Sequence, residues 1–111
     1  MPFFFCRLVP PRPDFATTLG ADEMALMGRH GAHLAALGDG LVVMGPVDGP
    51  HGSWGLAVIE AADRAVLERH LDADPTVLSG RGFRYEIEPM LLATRGPVPT
   101  AAPSPTKETN A

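Results

Sequence analysis

Residues 83–89 read Phe-Arg-Tyr-Glu-Ile-Glu-Pro, an unbroken alternation of apolar and charged side chains. Successive side chains of a strand point to opposite faces. Phe83, Tyr85 and Ile87 therefore share one face, and Arg84, Glu86 and Glu88 share the other. Parallel sheets are covered on both faces and carry continuous apolar strands; a clean alternation belongs to a half-buried antiparallel strand. Pro89 has no N–H for the ladder, which puts the far end of this strand at a sheet edge.

The other apolar periods supply the partners of that strand. Residues 2–8 are rich in Phe and close on Pro10-Pro11, which reads as a first strand. Pro10, Pro11, Pro13 and Asp14 open a loop that runs to about Gly20. Residues 21–38 read as a helix, with Gly20 at the N-cap and Asp22 and Glu23 in the first turn, where acids suit the helix dipole. At about 100° per residue, Met24, Met27, Gly31, Leu34 and Leu37 form one apolar stripe; His30 falls inside it and His33 at its margin. Gly38-Asp39-Gly40 ends the helix. Leu41–Met44 is a short apolar strand stopped by Gly45-Pro46. After a turn-rich loop over 48–52, Trp54–Glu60 is a third strand that forms a hairpin with its predecessor. Asp63 can cap a second helix that turns Val66, Leu67 and Leu71 inward. Pro75 disfavours helical backbone at Asp74, so Asp72-Ala-Asp74-Pro75 is a turn, followed by a short helical turn through Val77-Leu78.

The order β-α-β-β-α-β predicts an α+β domain of the ferredoxin-like type, with helices on one face of a four-stranded antiparallel sheet. The other face of the sheet needs a cover. A second copy of the sheet is the simplest one, so a homodimer is expected.

A length of 111 residues fits one domain. That domain is expected over 1–95. Over 96–111, Pro97, Pro99, Pro103 and Pro105 mix with Thr, Ala and Ser and no apolar period remains, so a disordered tail is expected. The net charge of −4 is spread over scattered residues, and the absence of a basic run argues against nucleic acid as a partner. The opening Met-Pro-Phe-Phe-Phe-Cys is too short for a signal segment, and Arg7 interrupts it. No stretch approaches the roughly 20 apolar residues of a membrane span. A cytoplasmic protein is expected. The single cysteine, Cys6, lies in an apolar run and has no partner for an intrachain disulfide; it reads as a small buried hydrophobe.

Two residues stand out for chemistry. An imidazole whose one nitrogen donates to a carboxylate keeps its other nitrogen free as a base, and the carboxylate then stabilises the imidazolium. Histidine titrates near neutral pH and suits this work. His30 on the inner face of the first helix and Asp74 at the Asp-Pro turn after the second could meet, because the two helices lie side by side in this topology. Residue type leaves other roles open. A histidine on an apolar helix face can be a satisfied core residue, and Asp74 can simply cap the turn that follows it. His33 can be a half-exposed surface residue. His30 and His33 are one turn apart, but no dense metal-ligand motif accompanies them, and neither a metal nor a cofactor is expected. His70, near the end of the second helix, suits a structural role. His51 and Trp54, in and beside the loop, are placed to touch a ligand.

Taken together, five segments resemble the YciI-like (YCII-related) family: Ala25-Leu-Met-Gly-Arg-His30, Gly40-Leu-Val-Val-Met-Gly45-Pro46, Trp54-Gly-Leu-Ala-Val, Asp72-Ala-Asp74-Pro75, and Gly82-Phe-Arg-Tyr-Glu-Ile-Glu-Pro89-Met90. Their order and spacing span nearly all of the chain except the tail. The resemblance implies a dimeric α/β barrel built from two ferredoxin-like subunits, and an active site of one histidine and one aspartate. By motif these are His30 and Asp74, with His33 as a possible accessory residue. One branch of the family resembles a dehydrochlorinase acting on chlorinated hydroxyquinols through a His–Asp pair.

The leading expectation is thus a cofactor-independent enzyme. His30 would act as general acid or base on a small cyclic or carbonyl-bearing molecule, in elimination, isomerisation or lyase chemistry. Gly45, Pro46, Trp54 and Phe83 are the expected lining of its pocket. The alternatives are a non-catalytic metabolite-binding or regulatory homodimer, and a haem-binding relative with His30 or His33 as axial ligand.

Overall fold

A computed structural model describes residues 1–96. It contains β1 (Phe3–Val9), α1 (Phe15–Thr18), α2 (Ala21–Ala35), a 3-10 turn (Gly38–Gly40), β2 (Leu41–Gly49), β3 (Gly52–Glu60), α3 (Arg64–Asp72), α4 (Pro75–Leu78) and β4 (Arg84–Pro89). The four strands form one sheet in the order β2-β3-β1-β4, with every neighbouring pair antiparallel. This is the expected ferredoxin-like α+β arrangement. The alternating segment is the edge strand β4, where Pro89 needs no ladder partner on its outer side. The tail expected over 96–111 falls, from residue 97 onward, outside the described residues.

Alternation divides the sheet into two faces. Phe4, Cys6 and Leu8 of β1 and Ala57 and Ile59 of β3 are buried beneath the helices. They meet Leu34 of α2 and Leu67 and Leu71 of α3 in the larger core cluster. Leu8, Phe15, Leu26 and Phe83 form a second cluster at one end of the sheet. Strand register puts Phe5 beside Val58, Arg7 beside Leu56, and Val43 beside Val58 on the opposite face. No element of the described chain covers that face, and Val43 is 49% exposed.

Three sequence expectations are corrected. The loop before Gly20 contains the one-turn helix α1, which drives Phe15 into the second cluster. Strand β2 does not stop at Gly45-Pro46 but runs to Gly49, with Pro46 opposite Gly55. It tolerates Pro46 because it is the other edge of the sheet. The buried residues of α2 are Leu26, His30 and Leu34, while Met24 is 63% exposed. The stripe is therefore rotated toward Leu26, and His30 sits at its centre rather than to one side.

Local chemistry explains the ends of the helices. Glu23 in the first turn of α2 accepts from the backbone N–H of Gly20 at 3.0 Å and receives both terminal nitrogens of Arg12 at 2.8 Å. Arg12 holds the Glu23 carboxyl down to about 2 and straps the proline-rich loop to the helix. Asp63 caps α3 by accepting from the backbone N–H of Val66 at 2.9 Å.

Candidate active site

Asp74 lies at the junction of α3 and α4 and faces His30 of α2. It is the N-cap of α4, with Pro75 in the first turn fixing the helical entry. Its Oδ1 accepts the backbone N–H and the hydroxyl of Thr76, each at 2.9 Å. Its Oδ2 accepts Nδ1–H of His30 at 2.7 Å and the hydroxyl of Tyr85 at 2.5 Å. The two readings of Asp74 are thus both realised, one on each oxygen: the cap on Oδ1 and the histidine partner on Oδ2. The side chain is fully buried. Burial alone would push its carboxyl up, but the donors from His30, Tyr85 and Thr76 outweigh burial and hold it at about 2.

An ionised carboxylate only accepts, so His30 carries a proton on Nδ1, and in the neutral imidazole Nε2 is the lone-pair acceptor. His30 is almost buried, with 8% of its side chain exposed, and it lines a cavity of about 350 Å³. Leu8, Phe15, Leu19, Met27, Met44 and Phe83 make the apolar walls, while Gly45, Pro46, Ser53 and Trp54 close the side toward β2 and β3. Phe15 and Phe83 meet edge to face, with centroids 5.3 Å apart. All four expected lining positions, Gly45, Pro46, Trp54 and Phe83, border this cavity together with His30. Among the described residues, its lining contains no Asp, Glu, Lys or Arg.

His33 is not brought to the cavity. It faces α3, where its Nε2–H donates to the His70 carbonyl at 2.7 Å. His51 borders a separate hollow of about 720 Å³, which shares Pro10, Ser53 and Trp54 with the first. The cations of that hollow are engaged: Arg12 with Glu23, and Arg7 with its guanidinium 3.8 Å from the Trp54 ring centre. Among the described residues, no group of three or more His, Cys, Asp and Glu side chains is gathered as a metal-ligand set.

Tyr85 and Thr76 were not anticipated. The alternation of β4 already turned Tyr85 inward, and a buried phenol must find an acceptor; that was the available signal. Thr76, two residues after an Asp-Pro cap, was signalled only by the ordinary capping preference for the second or third N–H.

A family model for the YCII-related domain matches residues 3–91. Among solved structures, the fold resembles the 5-chloro-2-hydroxyhydroquinone dehydrochlorinase of Burkholderia phenoliruptrix, solved in complex with 2,5-dihydroxybenzoquinone. The TM-score is 0.57 and the identity 19%, over 77% of this chain and 90% of that one. A weaker likeness links the chain to SnoaB, a cofactor-independent oxygenase from Streptomyces nogalater, with a TM-score of 0.45 and 18% identity over 87% of this chain and 97% of that one. No curated protein matches the sequence significantly.

Proposed function

Because this chain belongs to the YCII-related domain family, we propose that it is a small-molecule enzyme in which His30 moves a proton and Asp74 orients it. One observation carries the reading: the imidazole held at 2.7 Å by a buried carboxylate is also part of a cavity wall. A structural histidine would need the carboxylate but not the cavity.

The lining supports an uncharged, mostly apolar substrate, cyclic or carbonyl-bearing, with one acidic hydrogen presented to His30. Nε2 takes that proton as a general base, and Asp74 stabilises the imidazolium that results. The electron pair left on the substrate then expels a leaving group or shifts a double bond. His30 finally returns the proton to the product, to the leaving group or to water. Elimination of the kind named for the dehydrochlorinase fits this sequence of steps, as does isomerisation. Gly45, Pro46, Trp54 and Phe83 would shape the ligand. The uncovered sheet face, with Phe5, Val43, Leu56 and Val58, supports a homodimer closed sheet to sheet. No helix among the described residues is long and apolar enough to cross a membrane; the cytoplasmic setting belongs to the same proposal.

The test is product analysis after incubating the protein with uncharged hydroxylated aromatics, quinones and cyclic ketones. Wild type converts one of these. His30→Gln and Asp74→Asn lose about 10²–10⁴-fold while circular dichroism stays native. Equal turnover by all three proteins removes the dyad as catalyst. Binding without conversion favours a metabolite-binding dimer.

A further inference from the structure

Tyr85 is a half-buried polar group that proton transfer by His30 and Asp74 leaves unused. It is the only tyrosine of the chain. Its hydroxyl donates to Asp74 Oδ2, the same oxygen that receives His30 Nδ1–H. The other oxygen is committed to Thr76. Tyr85 does not border the cavity, so it reaches a ligand only through Asp74 and His30.

A carboxylate that accepts several hydrogen bonds spreads its charge among the donors. Two donors on one oxygen draw on the same lone-pair density. What Tyr85 takes is withdrawn from His30. We propose that Tyr85 is a positioning residue that sets how readily His30 accepts a proton, by sharing Asp74 Oδ2 with it. The proposal rests on the His30–Asp74 reading of the site.

The phenol is fit for the task because it stays a donor. Burial, and then the hydrogen bond and charge of Asp74, push its ionisation far up. Titratable groups on the elements packed around the dyad include Cys6 on β1, His33 on α2, and Arg64 and His70 on α3. Among the described residues none of them donates to Asp74. Burial pushes the Cys6 thiol to about 12, against the field of Arg64, so it brings no charge of its own near neutral pH.

The experiment follows the His30 ring protons by NMR through a pH titration of the full chain. Three proteins are compared: wild type, Tyr85→Phe, and protein grown with 3-fluorotyrosine, which alters Tyr85 alone. In Tyr85→Phe the His30 midpoint moves up by about half a unit or more. In the fluorotyrosine protein, whose phenol is a stronger donor, it moves down. Unchanged midpoints, or shifts of the same sign, overturn the proposal; a role limited to packing moves neither. If Tyr85→Phe does not fold, the fluorotyrosine protein decides by itself. The titration needs no substrate, so it succeeds or fails separately from the enzymatic reading. Where turnover is found, the rising limb of kcat/KM against pH follows the same displacements.

Discussion

The imidazoles of His33 and His70 stack with their centroids 4.1 Å apart and their planes 19° apart. Each donates Nε2–H to the backbone carbonyl of the other, at 2.7 Å from His33 and 3.0 Å from His70. The pair therefore closes a reciprocal bridge between α2 and α3. These are the two helices that deliver His30 and, past the end of α3, Asp74. The bridge is a seam of the scaffold next to the dyad and not a part of the cavity wall.

That bridge should make stability sensitive to mild acid. Burial, and the nearness of His33, hold His70 below its ordinary value of 6.5. A depressed value means that the unfolded chain binds the proton first as pH falls. Stability is then full above about pH 6.5 and declines below it. His70→Gln, which keeps a donor for the His33 carbonyl, should flatten the decline. Urea midpoints taken between neutral and mildly acidic pH check this.

A second acid transition, at lower pH, should come from Asp74. Its carboxyl is held at about 2 against an ordinary 3.8. The contribution is present above the ordinary value and is lost as pH falls toward 2. At about 1.4 kcal/mol per unit it amounts to about 2 kcal/mol. Glu23 is lowered into the same range by Arg12, so Glu23→Gln serves as the background in which the Asp74 share is measured. A Glu23→Gln protein with no loss of stability between pH 4 and 2 would contradict the assignment.

How much of this was legible beforehand follows from the physics of each residue. The dyad was legible because both members have local signals: a histidine inside an apolar helical stripe, and an aspartate fixed before a proline. The ferredoxin-like order was legible because Gly or Pro stands at one end or both of each strand. Helix α1 was not, because four residues cannot show a 3.6-residue period. The continuation of β2 through Gly45-Pro46 was hidden because a proline breaks a central strand but not an edge strand, and strand order is not written locally. The phase of α2 was misplaced toward Met24 because methionine looks equally apolar on a core face and on a solvent face. The His33–His70 bridge depends on the docking of two helices, which no local pattern encodes.

The two aromatic walls of the cavity should be costly to truncate. Phe83 is 7% exposed and Phe15 6%, and each is the edge-to-face partner of the other. Phe83→Ala should cost about 3–5 kcal/mol, and Phe83→Leu no more than about half of that. The Leu variant, still folded, should raise KM more than it lowers kcat, because it widens the wall without touching His30.

Gly45 and Gly52 should behave oppositely under the same substitution. Gly52 has φ +130°, and a Cβ there would lie 2.8 Å from backbone atoms of Pro13. Gly52→Ala should lose about 1–3 kcal/mol and loosen the proline-rich loop. A Cβ at Gly45 meets nothing within 4 Å, yet this residue borders the His30 cavity. Because Gly45 pairs with Leu56 on the uncovered face, its added methyl points away from the helices, and Gly45→Ala should leave both the unfolding midpoint and ligand binding nearly unchanged. Thermal shifts with and without ligand separate the two.

The uncovered sheet face should be the dimer interface. Face-to-face sheets lie about 10 Å apart and interdigitate their side chains, so each must offer a continuous apolar field. Phe5, Val43, Leu56 and Val58 provide it. Arg84 pairs with Glu86 at the β4 edge, while Arg7 lies between Glu86 and Trp54, with its guanidinium over the Trp54 ring. A carboxylate at Val43 would meet apolar surface in the dimer but water in the monomer, since nothing among the described residues buries that position. Val43→Asp should therefore give a folded monomer where wild type sediments as a dimer. Sedimentation velocity across a concentration series reads the difference. A wild type that remains monomeric at high concentration, or a Val43→Asp protein that still dimerises, would place the contact elsewhere.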